Sequence, residues 1–419
     1  MRVHFHENEE IDLQCIANNE DTRSVLFQII QYNDLECIER DLTTFSDLQT
    51  FLESSSFTAN DYCTWINIEG IHRNDILEKI SIQFNLHQLI MEDIKTMSER
   101  MKLDVLDHGA AIYLLMKMIY IHPNLNRSCL EQMSFVLKEN DLLLTFQNLQ
   151  DTKNSYDIFQ VVKYRLKNNR GRIRSMKIDY LFYCLLDVLI ENYMMTLEQI
   201  SIKIDKVDKL LINELKDKGH MQISRNHFNA DTLKVIFRIR HDILRLRILC
   251  QPLREIMIKL QKTQDRISMT NQSVQSRRQY RRKKRPKRVT LEGNYFFNPH
   301  ADLVEEKKPL FNEYIFIYFK DLNDHIIQLQ DRIDTYVDVL ASLTSFYIIL
   351  TDAKMNQIMT FLSLVSVTFI PLTCFIGIFS MNFDNMPPLV WDHAYFVTLG
   401  VMGVYVIAMI LFFKFKEYI

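Results

Sequence analysis

The sequence predicts an α+β domain, then long α-helices, then a C-terminal hairpin of two membrane-spanning helices. Three observations predict it. Short apolar alternations mixed with helical stretches occupy about the first 150 residues. From about Asp151 onward, apolar residues recur at three-to-four spacing. Two runs without a charged residue, Met355 to Phe383 and Ala394 to Phe413, close the chain. A helix needs ~20 apolar residues to cross ~30 Å of hydrocarbon. Both runs meet that, and no run upstream is expected to.

The 419 residues are enough for more than one folding unit, and a net charge of −2 names no partner. Gly and Pro, at 8 each, are too sparse for a collagen-like, disordered or turn-rich all-β chain. Cys15, Cys37, Cys63, Cys129, Cys184, Cys250 and Cys374 form no CxxC pair. That pattern argues against a zinc ribbon and suits a reducing compartment. The opening residues Met1 to His6 are too polar for a signal peptide, so the N-terminal region is expected to stay on one side of the membrane. No P-loop, GxSxG, HExxH or Gly-rich loop after a strand is present, and His72, His87, His241 and His325 are scattered. An enzyme is not expected.

Within the first domain, Thr64 to Ile68 alternates like a strand, and Ala111 to His122 is a long apolar run. Cys129 to Leu137 and Asp141 to Phe146 read as a hairpin. Asn74 to Phe84 reads as an amphipathic helix with Ile76, Ile80 and Phe84 on one face. The sheet is expected to be mixed or antiparallel. Ile178 to Lys216 and Phe228 to Gln261 are long helices with charged outer faces. The pattern is expected to break from Thr270 to Pro309, a solvated loop carrying the basic cluster Arg277 to Arg288. Such a cluster also suits anionic lipid, at ~1 kcal/mol per basic residue near the surface. Nucleic acid ranks low beside a membrane hairpin.

The expected division is 1–150 for the α+β domain, 151–269 for the long helices and 270–310 for the basic loop. A stalk at 311–354 then leads into the first span at 355–380, the outer loop at 381–393, the second span at 394–413 and a basic tail at 414–419. Lys354 precedes the first span, and Lys414 and Lys416 follow the second. The hinge holds Asp384 and Asp392 and no Lys or Arg. Positive residues stay on the cytoplasmic side, so both termini are expected there. A bacterial inner membrane and a eukaryotic equivalent are not separated.

The helix entering the membrane carries two stripes. The apolar one is Ile326, Leu329, Ile333, Tyr336, Leu340, Leu343, Tyr347 and Leu350, a coiled-coil-like seam. The second is Asp331, Thr335, Asp338, Ser342, Ser345, Ile349, Asp352 and Asn356. It continues into the span as Met359, Ser363, Ser366, Ile370, Thr373 and Gly377. In the soluble part a plain solvated face is the simpler reading. Within a bilayer, hydroxyls and small residues on one line should face protein or water. Helix packing through small residues is the narrower alternative to a pore. Two spans cannot enclose a pathway, so a transport role requires several copies. Rings of Asn356, Ser363, Ser366, Thr373 and Gly377 would then suit a cation that keeps part of its hydration shell. Pro371 is tolerated where neighbours or water meet the freed carbonyl. In the hinge, Ser380, Asn382 and Asp384 supply oxygen acceptors, and Mg²⁺ prefers oxygen and gives up water reluctantly.

Tyr318 to His325, Met355 to Met359 and Ile370 to Pro387 resemble the stalk and pore of CorA-type metal-ion transporters. Trp65 to Gly70 and Phe84 to Ile94 resemble that family's cytoplasmic domain, and Arg245 to Glu255 its long helices. The resemblance covers most of the chain in the family's order. It implies a homopentameric funnel that passes Mg²⁺, and in some members Co²⁺, Ni²⁺ or Zn²⁺, with no organic cofactor. The family's Gly-Met-Asn signature falls on Ser380-Met381-Asn382, making that triplet the selectivity filter. Pore-lining positions fall on Asn356, Met359, Ile370, Thr373 and Gly377. A regulatory cytoplasmic metal site between subunits falls on Asp93 and Asp321.

The sequence departs from the family pattern at Ser380, where Gly would tolerate backbone angles that Ser reaches only at a cost. It departs again at Pro388, where a second acidic residue is common, leaving outer cation attraction mainly to Asp384 and the membrane potential. The basic cluster lies outside the pattern as well. The leading expectation is a passive Mg²⁺ channel gated by cytoplasmic metal. The alternatives are a Zn²⁺, Co²⁺ or Ni²⁺ transporter of the same fold, and a non-conducting, metal-sensing scaffold.

Overall fold

A computed structural model describes residues 25–54, 62–71, 73–96, 100–106, 110–121, 128–139, 141–147, 157–216, 230–283, 310–381 and 393–416. The chain divides into two units. The first comprises 1–206 and 237–338; the second comprises 207–236 and 339–419.

The first unit is built on a seven-stranded mixed sheet. Its strands are β1 (Leu26–Tyr32), β2 (Cys37–Leu42), β3 (Cys63–Glu69), β4 (Lys102–Leu106), β5 (Ala111–Ile121), β6 (Ser128–Lys138) and β7 (Leu142–Gln147). Their order is β2-β1-β3-β7-β6-β5-β4, and only β3 and β7 run parallel. The expected hairpin is β6–β7, closed by the pair Lys138↔Leu142, with Asp141 in the left-handed region at φ 55°. Aspartate enters that region more readily than most residues because its short side chain bonds locally.

Helices cover both faces of the sheet. On one face lie α1 (Phe45–Glu53), α2 (Asn74–Gln83) and α3 (Gln88–Lys95). They share a core with Phe27, Ile29, Ile66, Ile68, Tyr113, Leu115, Val136, Leu144 and Phe146. Thr44 caps α1 by accepting the Asp47 N–H, and His87 caps α3 through Nδ1 from the Leu89 N–H. In α2 the buried face is Leu77 and Ile80, with Phe84 buried just past the end and Ile76 half-buried. The opposite sheet face meets α4 (Gln160–Lys167) and α5 (Ile178–Lys216) through an edge-to-face chain of rings, Trp65–Phe159–Phe135–Phe182. Covered on both sides, β3 is buried from Thr64 to Ile68 and does not alternate between buried and exposed. Buried Asn67 is satisfied there. It accepts from Thr145 Oγ1 at 2.7 Å and donates to Gln28 and Glu69.

Two sequence expectations change. By length and composition Ile178–Asn213 is a third helix apolar enough to cross a membrane, yet 72% of its most apolar window is buried inside the fold. It is a core helix: Phe182 meets Phe135 of the sheet, and Tyr180 and Tyr183 meet Tyr318. Second, α6 runs from Ala230 to Lys283 and so continues well past Thr270, where a loop was expected. The reason is compositional: Thr270 to Lys283 holds Gln, Arg, Ser and Lys but no Gly or Pro, and Pro286 is the first breaker. The rest of the expected loop, 284–309, lies outside the described residues.

The helix α7 spans Ile315–Phe379 without interruption. Its 65 residues make it about 98 Å long at 1.5 Å per residue. At its start the Asn312 N–H donates to Asp179 Oδ2 at 2.9 Å. Within the first unit its seam residues Ile326, Leu329 and Ile333 are buried, and Gln330 Nε2 donates to the Cys250 carbonyl of α6. In the second unit Leu340, Leu343, Tyr347 and Leu350 are buried, as are Val207, Leu211 and Ile236. Each such side chain contributes roughly 1.5–3 kcal/mol relative to exposure. The last helix, α8, is Ala394–Phe415.

Candidate functional site

Along α7 the two stripes behave as opposites. All seam residues are buried except half-buried Tyr336. Asp331, Thr335, Asp338, Ser342, Ser345, Ile349, Asp352 and Asn356 are all exposed. Inside the apolar stretch Met359, Ser363, Ile370 and Thr373 are exposed, while Ser366 and Gly377 are half-buried. Asn356, Met359 and Ser363 also line a groove of about 390 Å³ with Thr360, Leu364 and Val367. A Cβ added to Gly377 would meet nothing within 4 Å in this chain.

The hydroxyls in this stretch are oriented by their own helix. Thr360, Ser363, Ser366, Thr368 and Thr373 each donate to the carbonyl four residues back, at 2.8–2.9 Å. That spends the proton on the backbone and turns the oxygen lone pairs outward as acceptors. Acceptors suit a cation or its water shell.

Pro371 has no N–H, so the Val367 carbonyl loses its helical donor. Tyr405 of α8 supplies one: its hydroxyl donates to the Val367 carbonyl at 3.1 Å. The sequence reading expected a neighbour or water here but did not name Tyr405. The available signal was a tyrosine hydroxyl in the middle of an uncharged span, where an unmet donor is costly.

Ser380 continues the helical bonding. Its N–H donates to Ile376 O at 3.0 Å and its Oγ to Gly377 O at 3.2 Å. It is absent from the positive-φ residues, so the backbone angle that favours Gly is not adopted at this position. Met381 is exposed, and Asn382 and Asp384 lie outside the described residues. Arg277 to Lys283 has helical backbone in α6, while the remainder of the basic cluster lies outside the described residues.

The two aspartates sit in different settings. Asp93, on α3, has a side chain only 15% exposed and an ion pair to Lys102 Nζ at 2.7 Å. Its backbone carbonyl accepts from buried Gln132 Nε2 at 2.9 Å, tying the end of α3 to β6. Asp321, on α7, is exposed. It belongs to an acidic neighbourhood with Asp187. Burial, then repulsion from Glu191 and Asp321, holds Asp187 above the ordinary carboxylate range, while His325 and Arg165 oppose the shift. Lys102, Asp187 and Glu191 went unnamed in the sequence reading, and His325 entered it as one of four scattered histidines and as the end of the stalk segment. Among the described residues no three His, Cys, Asp or Glu side chains group closely enough to hold a metal ion.

A sheet domain sandwiched by helices, a 65-residue helix and a second apolar helix, both long and apolar enough to cross a membrane, define a two-span membrane protein with a large soluble region. A family model described as CorA-like Mg²⁺ transporter protein matches residues 60–282 and 281–416, and the chain belongs to that family. It is 28% identical over 392 residues to the cobalt/magnesium transport protein CorA of Thermotoga maritima, covering 94% of this chain and 92% of that one. It is 26% identical over 334 residues to the putative metal ion transporter YfjQ of Bacillus subtilis, covering 80% and 83%. The fold is similar to the complete CorA magnesium transporter from Methanocaldococcus jannaschii, with a TM-score of 0.63 at 16% identity over 95% of this chain and 99% of that one.

Proposed function

We propose that this chain is one subunit of a homo-oligomer, expected to be a pentamer, that passes divalent cations, Mg²⁺ first, down their electrochemical gradient. One observation carries the reading. A single helix buries one stripe and leaves the other exposed, and the exposed stripe runs on into the apolar stretch as oxygen acceptors and small residues. Around a shared axis, Asn356, Met359, Ser363, Ser366, Ile370, Thr373 and Gly377 become the lining. The space beside Gly377 belongs to the pathway. Uncharged oxygens let a hydrated cation move without trapping it. Ser380, Met381 and Asn382 form the outer filter, and Asp384 concentrates cations before it. Helical bonding at Ser380 supports a filter built without the Gly-type angle.

The regulatory metal is assigned to Asp93 of one subunit and Asp321 of its neighbour, with both termini cytoplasmic. Hard carboxylate oxygens fit Mg²⁺. The acidic surroundings of Asp321 favour a cation there. Bound metal ties subunits together and favours the closed pore; depletion shifts the population to open. The membrane boundaries are placed at 355–380 and 394–413, and the basic cluster at Arg277 to Arg288 is assigned to anionic lipid.

Uptake in a cell lacking its own Mg²⁺ transport tests this. Rescue by the parent chain, lost on Asn382→Ala, is expected. Absence of rescue at normal membrane expression would favour the non-conducting scaffold, and uptake across a panel of Mg²⁺, Co²⁺, Ni²⁺ and Zn²⁺ ranks the cargo.

A further inference from the structure

We propose that Tyr405 is a positioning residue for the pore helix: its hydroxyl stands in for the N–H that Pro371 lacks and restrains the helix there. The inference rests on reading α7 as the pore helix. Pro371 is the one proline inside α7. Proline removes the bond to the carbonyl four residues back and crowds it, loosening the helix at that point. The affected carbonyl is that of Val367, and Tyr405 donates to this atom at 3.1 Å. The nearby threonines do not serve it. Thr368 donates to Leu364 and Thr373 to Phe369. Beyond the proline lie Thr373, Gly377 and Ser380, the residues assigned above to the outer end of the pathway. The direction of that segment is therefore set from α8, through one hydroxyl. In hydrocarbon the carbonyl has few competing partners, so the restraint persists.

A double-mutant cycle on the full-length protein in membranes tests this. Tyr405→Phe keeps the ring and removes the donor. It is expected to lower divalent uptake roughly two- to tenfold, as for one modest hydrogen bond. Pro371→Ala restores the backbone N–H, so in that background Tyr405→Phe is expected to change uptake less than twofold. The second readout is infrared. Protein labelled with ¹³C-carbonyl valine is compared with the same protein carrying Val367→Ile, which isolates the one carbonyl. Its amide band is expected to move to higher wavenumber with Tyr405→Phe and to stay in place when Pro371→Ala is also present. An unmoved band, or an equal uptake loss in both backgrounds, overturns the proposal. If the parent chain carries no divalent cation, the functional reading falls, and the band alone decides the Tyr405 contact.

Discussion

The Lys102 ammonium lies 2.7 Å from a carboxylate oxygen of Asp93, at the junction of α3 and β4. Asp93 is assigned to the regulatory metal, so a tethered cation already occupies one side of that ligand. A divalent ion must displace or share it. Lys102→Met is expected to tighten Mg²⁺ binding severalfold, read as a larger Mg²⁺-dependent rise in melting temperature of the purified protein. Asp93→Asn should abolish that rise. Unchanged Mg²⁺ stabilisation in Lys102→Met would show that the metal does not use Asp93.

Gly377 offers a second test. A Cβ added there meets nothing within 4 Å in the chain itself, which leaves room for a small side chain. Gly377→Val is expected to leave expression and melting temperature near the parent values while cutting uptake at least about tenfold, because a ring of side chains narrows the path. Undiminished uptake would move the lining to another face of α7.

The seam and the exposed stripe should respond differently to truncation. Ile333 is 1% exposed, and Ile333→Ala is expected to cost about 2–5 kcal/mol of stability. Asp331→Ala and Thr335→Ala, on the exposed stripe, should stay within about 0.5 kcal/mol. Denaturant unfolding of the purified protein measures the contrast, and equal effects would remove the basis for two distinct stripes.

Glu131 predicts a pH dependence. Its Oε1 is buried without a hydrogen-bond partner among the described residues. Burial, then repulsion from Glu69, pushes the carboxyl from 4.5 up to about 8. The folded state therefore holds a proton that the unfolded state has released, and stability falls as pH rises from about 4.5 to about 8. Glu131→Gln is expected to flatten that slope and to raise stability at pH 8 by a few kcal/mol, on the order of the shift itself. Melting curves across this pH range check it; an unchanged slope would place the burden on other groups.

Much of the fold was legible because apolar periodicity reports burial directly. Ile178–Lys216 was readable from three-to-four spacing without Gly or Pro, and the hairpin β6–β7 from two short apolar runs on either side of a polar break. The α7 seam was readable as a row of apolar residues, and the structure buries that row. Periodicity could not tell a core helix from a spanning one where both are long and apolar, as at Ile178–Asn213. Nor could it place the end of α6, because a charged stretch without Gly or Pro suits either a solvated loop or an exposed helix.

By itself, the order of residues determined the local and the linear. It set two uncharged runs long enough to span, one helix with an apolar and an oxygen-bearing face, and the proline that leaves a carbonyl free. Only the tertiary structure decided which distant groups meet. Tyr405 answers Pro371 across 38 residues, counted from Val367, and Trp65, Thr145 and Asn67 close a buried network between β3 and β7. The physical reason is range. Helical and strand periodicities act over a few residues, whereas a buried donor and acceptor must pair wherever the folded chain brings them within 3 Å or so of each other.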